Sequence, residues 1–103
     1  MSPTMVQHCD TLGDVRRYID SIDNRIVALM AERSGYMSEA ARIKQRADQV
    51  YDQERIDFII ERVKAMARAG SAPEAVIEAA YRAMIGASID FEHGEFQRLH
   101  QKD

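Results

Sequence analysis

Apolar residues recur near the start of the chain at alternating spacings of three and four. The members of this series, called the apolar stripe below, are Leu12, Val15, Ile19, Ile22, Ile26 and Leu29. These spacings place side chains on one face of an α-helix, so the pattern predicts an amphipathic helix. The same series continues through Arg33 and reaches Lys44. Because an unpaired buried cation is costly, either the stripe leaves the core at Leu29 or an anion meets the two cations.

Two shorter apolar series follow and predict two more helices. Asp52 has a side chain suited to cap the second helix. Gly70 and Pro73 mark the boundary with the third, because Gly terminates helices and Pro is favoured in a first turn. The sequence has no alternating strand pattern. The predicted fold is therefore all-α, a three-helix chain whose first helix reaches about Lys44, roughly 50 Å at 1.5 Å per residue.

The first predicted helix is much longer than the other two. Two shorter helices of the same chain cannot cover its apolar stripe along the whole length. Helices of such length usually pack on another subunit. We therefore expect an antiparallel helical homodimer.

Length and composition favour one small domain of 103 residues. We expect a helical domain over residues 11–103 behind a disordered or frayed leader, residues 1–10. The net charge of −3 argues against a general nucleic-acid surface, which requires a basic excess. The single cysteine, Cys9, excludes an intrachain disulfide, and its neighbours His8 and Asp10 lack a metal-ligand spacing. With neither a membrane-length apolar run nor a secretory leader, we expect a soluble cytoplasmic protein.

Two cations on the first helix have a spacing that suits a small anion. Arg33 and Lys44 are eleven residues apart, so they point within about 20° of each other and stand roughly 16 Å apart. Arg offers a bidentate fork and Lys a compact point charge, a combination that suits a dicarboxylate. The alternative is that both reach solvent or pair with neighbouring acids. Arg16 lies about 25 Å before Arg33, so it can join such a ligand only from a second chain.

The third predicted helix carries polar residues within an apolar series. Ser88 and Glu92 share a helix face with Ile85. A carboxylate on an apolar face has two interpretations. It binds a ligand, or, more simply, this part of the helix is exposed to solvent. His93 and His100 lie on a polar tail, where we expect both in solvent.

Four short segments, in their order and spacing, resemble the all-helical chorismate mutases. They are residues 14–23, 26–33, 41–44 and 50–55, and the resemblance covers about residues 12–96. It implies an intertwined homodimer of three-helix chains with two active sites, each built from both subunits. It also implies an isomerase that converts chorismate to prephenate in the shikimate pathway of aromatic amino-acid biosynthesis, without metal or cofactor.

The resemblance assigns roles by position. Arg16 from the partner chain would hold one substrate carboxylate, and Arg33 would hold the other. Lys44 would contact the ether oxygen and a carboxylate, and Glu92 stands where the family hydrogen-bonds that oxygen. The other implied substrate-binding positions are Asp52 near the substrate hydroxyl, Arg55 and Ile56 at the start of the second helix, and Ser88 in the pocket lining. Lys44, Glu92 and Arg33 are the expected catalytic residues.

The implied chemistry explains why these residue types suffice. The reaction is a [3,3] pericyclic rearrangement, which needs no nucleophile. The site must hold a compact conformer and stabilise charge that develops on the ether oxygen. An ionised Glu only accepts hydrogen bonds, so donation by Glu92 requires its protonated form.

Two positions depart from the family pattern and leave alternatives open. Ile56 stands where many members have Glu. An apolar residue at this position resembles the related isochorismate-pyruvate lyases, which form salicylate. Those lyases have Gln where this chain has Glu92, so the two departures favour different substrates. An amino-substituted chorismate is a further alternative. A non-enzymatic alternative is a helical dimerisation or regulatory module in which the cations are surface or interface charges.

Overall fold

A computed structural model describes residues 5–101 and contains three α-helices in that range. They are α1 (Leu12–Ile43), α2 (Gln53–Ala69) and α3 (Glu74–Leu99), with a 3-10 turn at Ala47–Gln49 between the first two. Residues 5–101 contain no strand. The predicted all-α, three-helix chain is confirmed. The predicted leader falls partly on residues 1–4, which lie outside the described residues.

Local side-chain bonds fix where two of the helices begin. Thr11 Oγ1 accepts a hydrogen bond from the Asp14 amide at 3.1 Å at the start of α1. Asp52 Oδ1 accepts one from the Arg55 amide at 3.1 Å at the start of α2. Each bond satisfies an amide that the first helical turn leaves without a partner. The predicted Asp52 cap is confirmed.

The chain divides into two compact units, one that ends at Arg33 and one that begins at Ser34. In the first unit the apolar stripe is exposed. Its six side chains have exposed fractions between 37% at Val15 and 68% at Leu12. The single chain therefore leaves a helix face of large apolar side chains in contact with solvent.

In the second unit, α2 packs against α3. The buried side chains of α2 are Ile60, Val63 and Ala67, whose spacings of three and four put them on one face. Ile85 of α3 is buried with them, and so is Glu92, a carboxylate with only 4% of its surface exposed. Among the helices in residues 5–101, none is both long enough and apolar enough to cross a membrane.

Candidate active site

Lys44 and Glu92 form an ion pair in the second unit. Lys44 Nζ donates a hydrogen bond to Glu92 Oε2 at 2.7 Å, across a separation of 48 residues in the sequence. The Glu92 side chain is 5% exposed and that of Lys44 is 28% exposed. A short charge-assisted bond of this kind offsets part of the cost of burying the carboxylate. The pair is thus a cation and a carboxyl group held together in a largely dry environment.

The end of α1 places Lys44 at this position. Its amide donates to the Ala40 carbonyl at 2.9 Å, so Lys44 continues the helical hydrogen bonding just beyond Ile43. The next two amides donate to a side chain. Gln49 Oε1 accepts from the amide of Gln45 at 2.8 Å and from that of Arg46 at 3.0 Å. Gln49 therefore ends the helix directly after the lysine.

A second carboxylate of α3 bonds to the last part of α1. Ser38 Oγ donates to Glu95 Oε1 at 2.7 Å. Arg98 donates to both oxygens of Glu95, from Nε at 2.8 Å and from Nη2 at 2.9 Å. The Arg98 guanidinium and then the Ser38 hydroxyl lower the pKa of Glu95 from 4.5 to about 2. Glu95 is accordingly ionised at neutral pH and joins the two helices near the ion pair.

The two histidines of the polar tail differ in their exposure. His100 is exposed, as expected, but its Nε2 lies 2.9 Å from the carbonyl oxygen of Ala41. Its ring also stacks on Phe96 with 4.1 Å between the centroids. The second histidine of the polar tail, His93, is half-buried. His93 therefore differs from the expectation of two solvated histidines, whereas His100 is exposed as expected and also bonds to α1.

The other predicted site residues of the second unit occupy helix starts and faces. Asp52 is the exposed cap of α2, and the exposed Arg55 places its guanidinium carbon 5.2 Å from the centre of the Phe58 ring. Ile56 is half-buried. Ser88 is half-buried on α3, one turn before the buried carboxylate of the ion pair. Of the predicted positions in this unit, the side chains of Lys44 and Glu92 bond to each other, and the Asp52 side chain accepts from the Arg55 amide.

Two predicted arginines lie in the first unit. Arg33 is half-buried at its last residue, and Arg16 is exposed near the start of α1. Both therefore lie on the helix that carries the exposed apolar stripe.

The sequence model of the family described as "Chorismate mutase type II" matches residues 15–93. This chain belongs to the chorismate mutase type II family. A relative named chorismate mutase, from Methanocaldococcus jannaschii, is 35% identical over 60 residues, which are 57% of this chain and 61% of the relative. The matched part thus spans less than two thirds of that relative's length. The resemblance to the all-helical chorismate mutases is confirmed, and the family match contains every predicted site residue from Arg16 to Glu92.

Proposed function

We propose that this protein is a chorismate mutase, an isomerase that rearranges chorismate to prephenate. Membership of the family supports the reaction. The observation that carries the proposal is the contact of Lys44 Nζ with the buried carboxyl of Glu92 at 2.7 Å. A pericyclic reaction whose charge develops on one ether oxygen needs preorganised donors more than it needs a nucleophile. The proposal includes no metal or cofactor, and a cytoplasmic location remains a prediction.

In this proposal Lys44 and Glu92 bind the ether oxygen together. An ammonium carries three donor protons, so Lys44 can bond the substrate while Glu92 Oε2 still accepts from it. With a proton on its other oxygen, Glu92 supplies the second donor. A millionfold acceleration requires about 8 kcal/mol from orientation and electrostatics together. Because Glu92 is 4% exposed, its interactions are less weakened by water than those of a surface acid.

The substrate carboxylates are bound by two arginines in this proposal. Arg33 binds one carboxylate, and Arg16 of a partner subunit binds the other. A homodimer is required for this arrangement, because about 25 Å of helix separates the two arginines within one chain. The exposed apolar stripe supports the dimer, since covering a half-exposed Ile or Leu is worth about 1 kcal/mol.

The remaining site residues are proposed to shape the pocket. Asp52 and Arg55 lie at the first turn of α2, where the substrate hydroxyl is expected, and Ser88 lies one turn from Glu92 on α3. Ile56 gives this part of the pocket an apolar wall. Its side chain is the feature that makes isochorismate worth testing beside chorismate.

The test is to incubate the purified protein with chorismate and, separately, with isochorismate, and to identify the products. We expect prephenate from chorismate, and we expect Lys44→Ala and Arg33→Ala each to reduce kcat/KM by about 100-fold or more. The matched controls are Lys64→Ala and Arg82→Ala, which remove cations that pair with Glu78 of α3 in the second unit. Both controls should retain the wild-type rate.

Other products would contradict the proposal in distinct ways. Salicylate with pyruvate from isochorismate, and no prephenate, would identify a lyase. No turnover of either compound by the folded helical protein would favour a dimerisation or regulatory module.

A further inference from the structure

An exposed histidine of α3 bonds to the helical turn that precedes Lys44. His100 Nε2 lies 2.9 Å from the carbonyl oxygen of Ala41, three residues before the lysine. A carbonyl oxygen only accepts hydrogen bonds, so the ring nitrogen carries the proton and donates. Ala41 is fully buried, with 0% of its surface exposed. The histidine thus reaches from the surface to a backbone group beside the ion pair.

The end of α1 explains why a side-chain donor is useful there. The last carbonyls of a helix lack the amides that a further turn would supply. In a continued helix the amide of Gln45 would bond the Ala41 carbonyl, but here it donates to Gln49 Oε1 at 2.8 Å. His100 supplies a donor to that carbonyl from another helix.

The imidazole ring is itself held in place. It stacks on Phe96 with 4.1 Å between the centroids and 22° between the planes. The His100 amide donates to the Phe96 carbonyl at 3.0 Å, which fixes the backbone at the end of α3. The Ser38–Glu95 bond joins the same two helices nearby. A ring with so little freedom can fix the carbonyl that it binds.

We propose that His100 is a positioning residue for Lys44, acting through the Ala41 carbonyl. The inference rests on the proposed mutase function, in which Lys44 Nζ must meet one ether oxygen. Because a misplacement of about 1 Å can cost up to about 100-fold in rate, loss of the His100 bond is expected to lower kcat roughly tenfold. KM changes less, because the carboxylate-binding arginines do not depend on this turn.

Two substitutions separate the hydrogen bond from the ring. His100→Phe keeps an aromatic ring against Phe96 but cannot donate. His100→Gln loses the ring but keeps an N–H donor near the position of Nε2. His8→Phe is the matched control, since His8 is an exposed histidine that contacts Asp10. If His100→Phe does not fold, His100→Leu replaces it as the variant without a donor.

The measurements are kcat and KM with chorismate, and amide hydrogen exchange at Lys44, whose N–H bonds the Ala40 carbonyl. We expect His100→Phe to lower kcat about tenfold and to speed exchange at Lys44 by a similar factor. His100→Gln should retain most of both wild-type values, and His8→Phe all of them. Amide hydrogen exchange measures the stability of the turn at Lys44, and this measurement does not depend on whether chorismate is the substrate.

Each other outcome is decisive. Wild-type kcat and exchange in His100→Phe would overturn the inference and leave the proposed function standing. Equal losses in the Phe and Gln variants would overturn it as well, because the donor would not be the cause. An inactive wild-type protein would overturn the proposed function, and exchange alone would then decide whether His100 orders the Lys44 turn.

Discussion

Glu92 combines two properties that rarely occur together in a side chain. It is a carboxyl group with 4% of its surface exposed, and it accepts a hydrogen bond from Lys44 at 2.7 Å. Its position on a face shared with Ile85 was visible in the sequence as a polar residue in an apolar series. The lysine that contacts it was visible as the last cation of a helical series, and the family resemblance assigned both residues to the ether oxygen. Their contact depends on the packing of chain segments 48 residues apart.

The first prediction at this scale concerns the donor at Glu92. Glu92→Gln carries an N–H donor that can bond the ether oxygen, whereas Glu92→Met carries none. We expect Glu92→Gln to keep kcat within about tenfold of the wild type and Glu92→Met to lower it about 100-fold. Steady-state kcat with chorismate measures both. Equal losses in the two variants would remove Glu92 from the role.

The second prediction concerns stability and the pKa of Glu95. The Arg98 guanidinium and the Ser38 hydroxyl lower this pKa from 4.5 to about 2 in the folded chain. Because the folded value is below the unfolded one, the stabilisation is complete above about pH 4.5 and is lost as pH falls toward 2. Glu95→Gln should therefore lower the urea midpoint at neutral pH and weaken its decline in acid.

The control for this measurement is Asp90→Asn, which removes an exposed acid from the same helix. It should leave the urea midpoint at neutral pH almost unchanged. An acid decline as steep in Glu95→Gln as in the wild type would show that other groups cause it.

At the scale of helices, the start of α2 could be predicted from local sequence signals. The contacts between helices could not. Asp52 was identifiable as a cap because a capping bond joins residues three apart in the sequence. The bonds Ser38–Glu95 and His100–Ala41 span 57 and 59 residues. No sequence period encodes such pairs, so the polar end of α3 resembled a solvated surface. The predicted roles of the site residues remain predictions.

Gln49 gives a prediction for the end of α1. Its side-chain oxygen accepts from two amides, those of Gln45 and Arg46. Gln49→Glu retains an acceptor, whereas Gln49→Met removes it and should cost about 1 kcal/mol of unfolding free energy. Urea unfolding of both variants checks this, with Gln97→Met on the exposed surface as the control. Equal losses in the Glu and Met variants would contradict the capping role.

At the scale of the whole molecule, the apolar stripe is the feature that the single chain leaves exposed. The sequence pattern predicts a buried face, but the six side chains of the stripe are between 37% and 68% exposed. The physical reason is that the stripe lies in the unit that ends at Arg33, and among the described residues that unit contains no second helix to cover it. We therefore expect a second copy of the chain to cover the stripe.

Ile22→Asp tests this expectation. A carboxylate in the middle of the stripe should weaken the dimer by roughly a hundredfold or more, because an unpaired charge in an interface is costly. Asn24→Asp places the same group on the opposite face of α1 and should leave the dimer intact. Light scattering across a dilution series measures both. A wild-type monomer, or equal effects of the two variants, would contradict the dimer.

The central claim is that each site takes Arg16 from one chain and Lys44 from the other. Mixing Arg16→Ala subunits with Lys44→Ala subunits, each inactive alone, tests it directly. In a twofold-symmetric dimer, a mixed pair then contains one site with both wild-type residues, so random assortment should restore about one quarter of the wild-type activity. If the arginine and lysine of a site came from the same chain, every mixed site would lack one of them. No recovery of activity in confirmed mixed dimers would contradict the shared site.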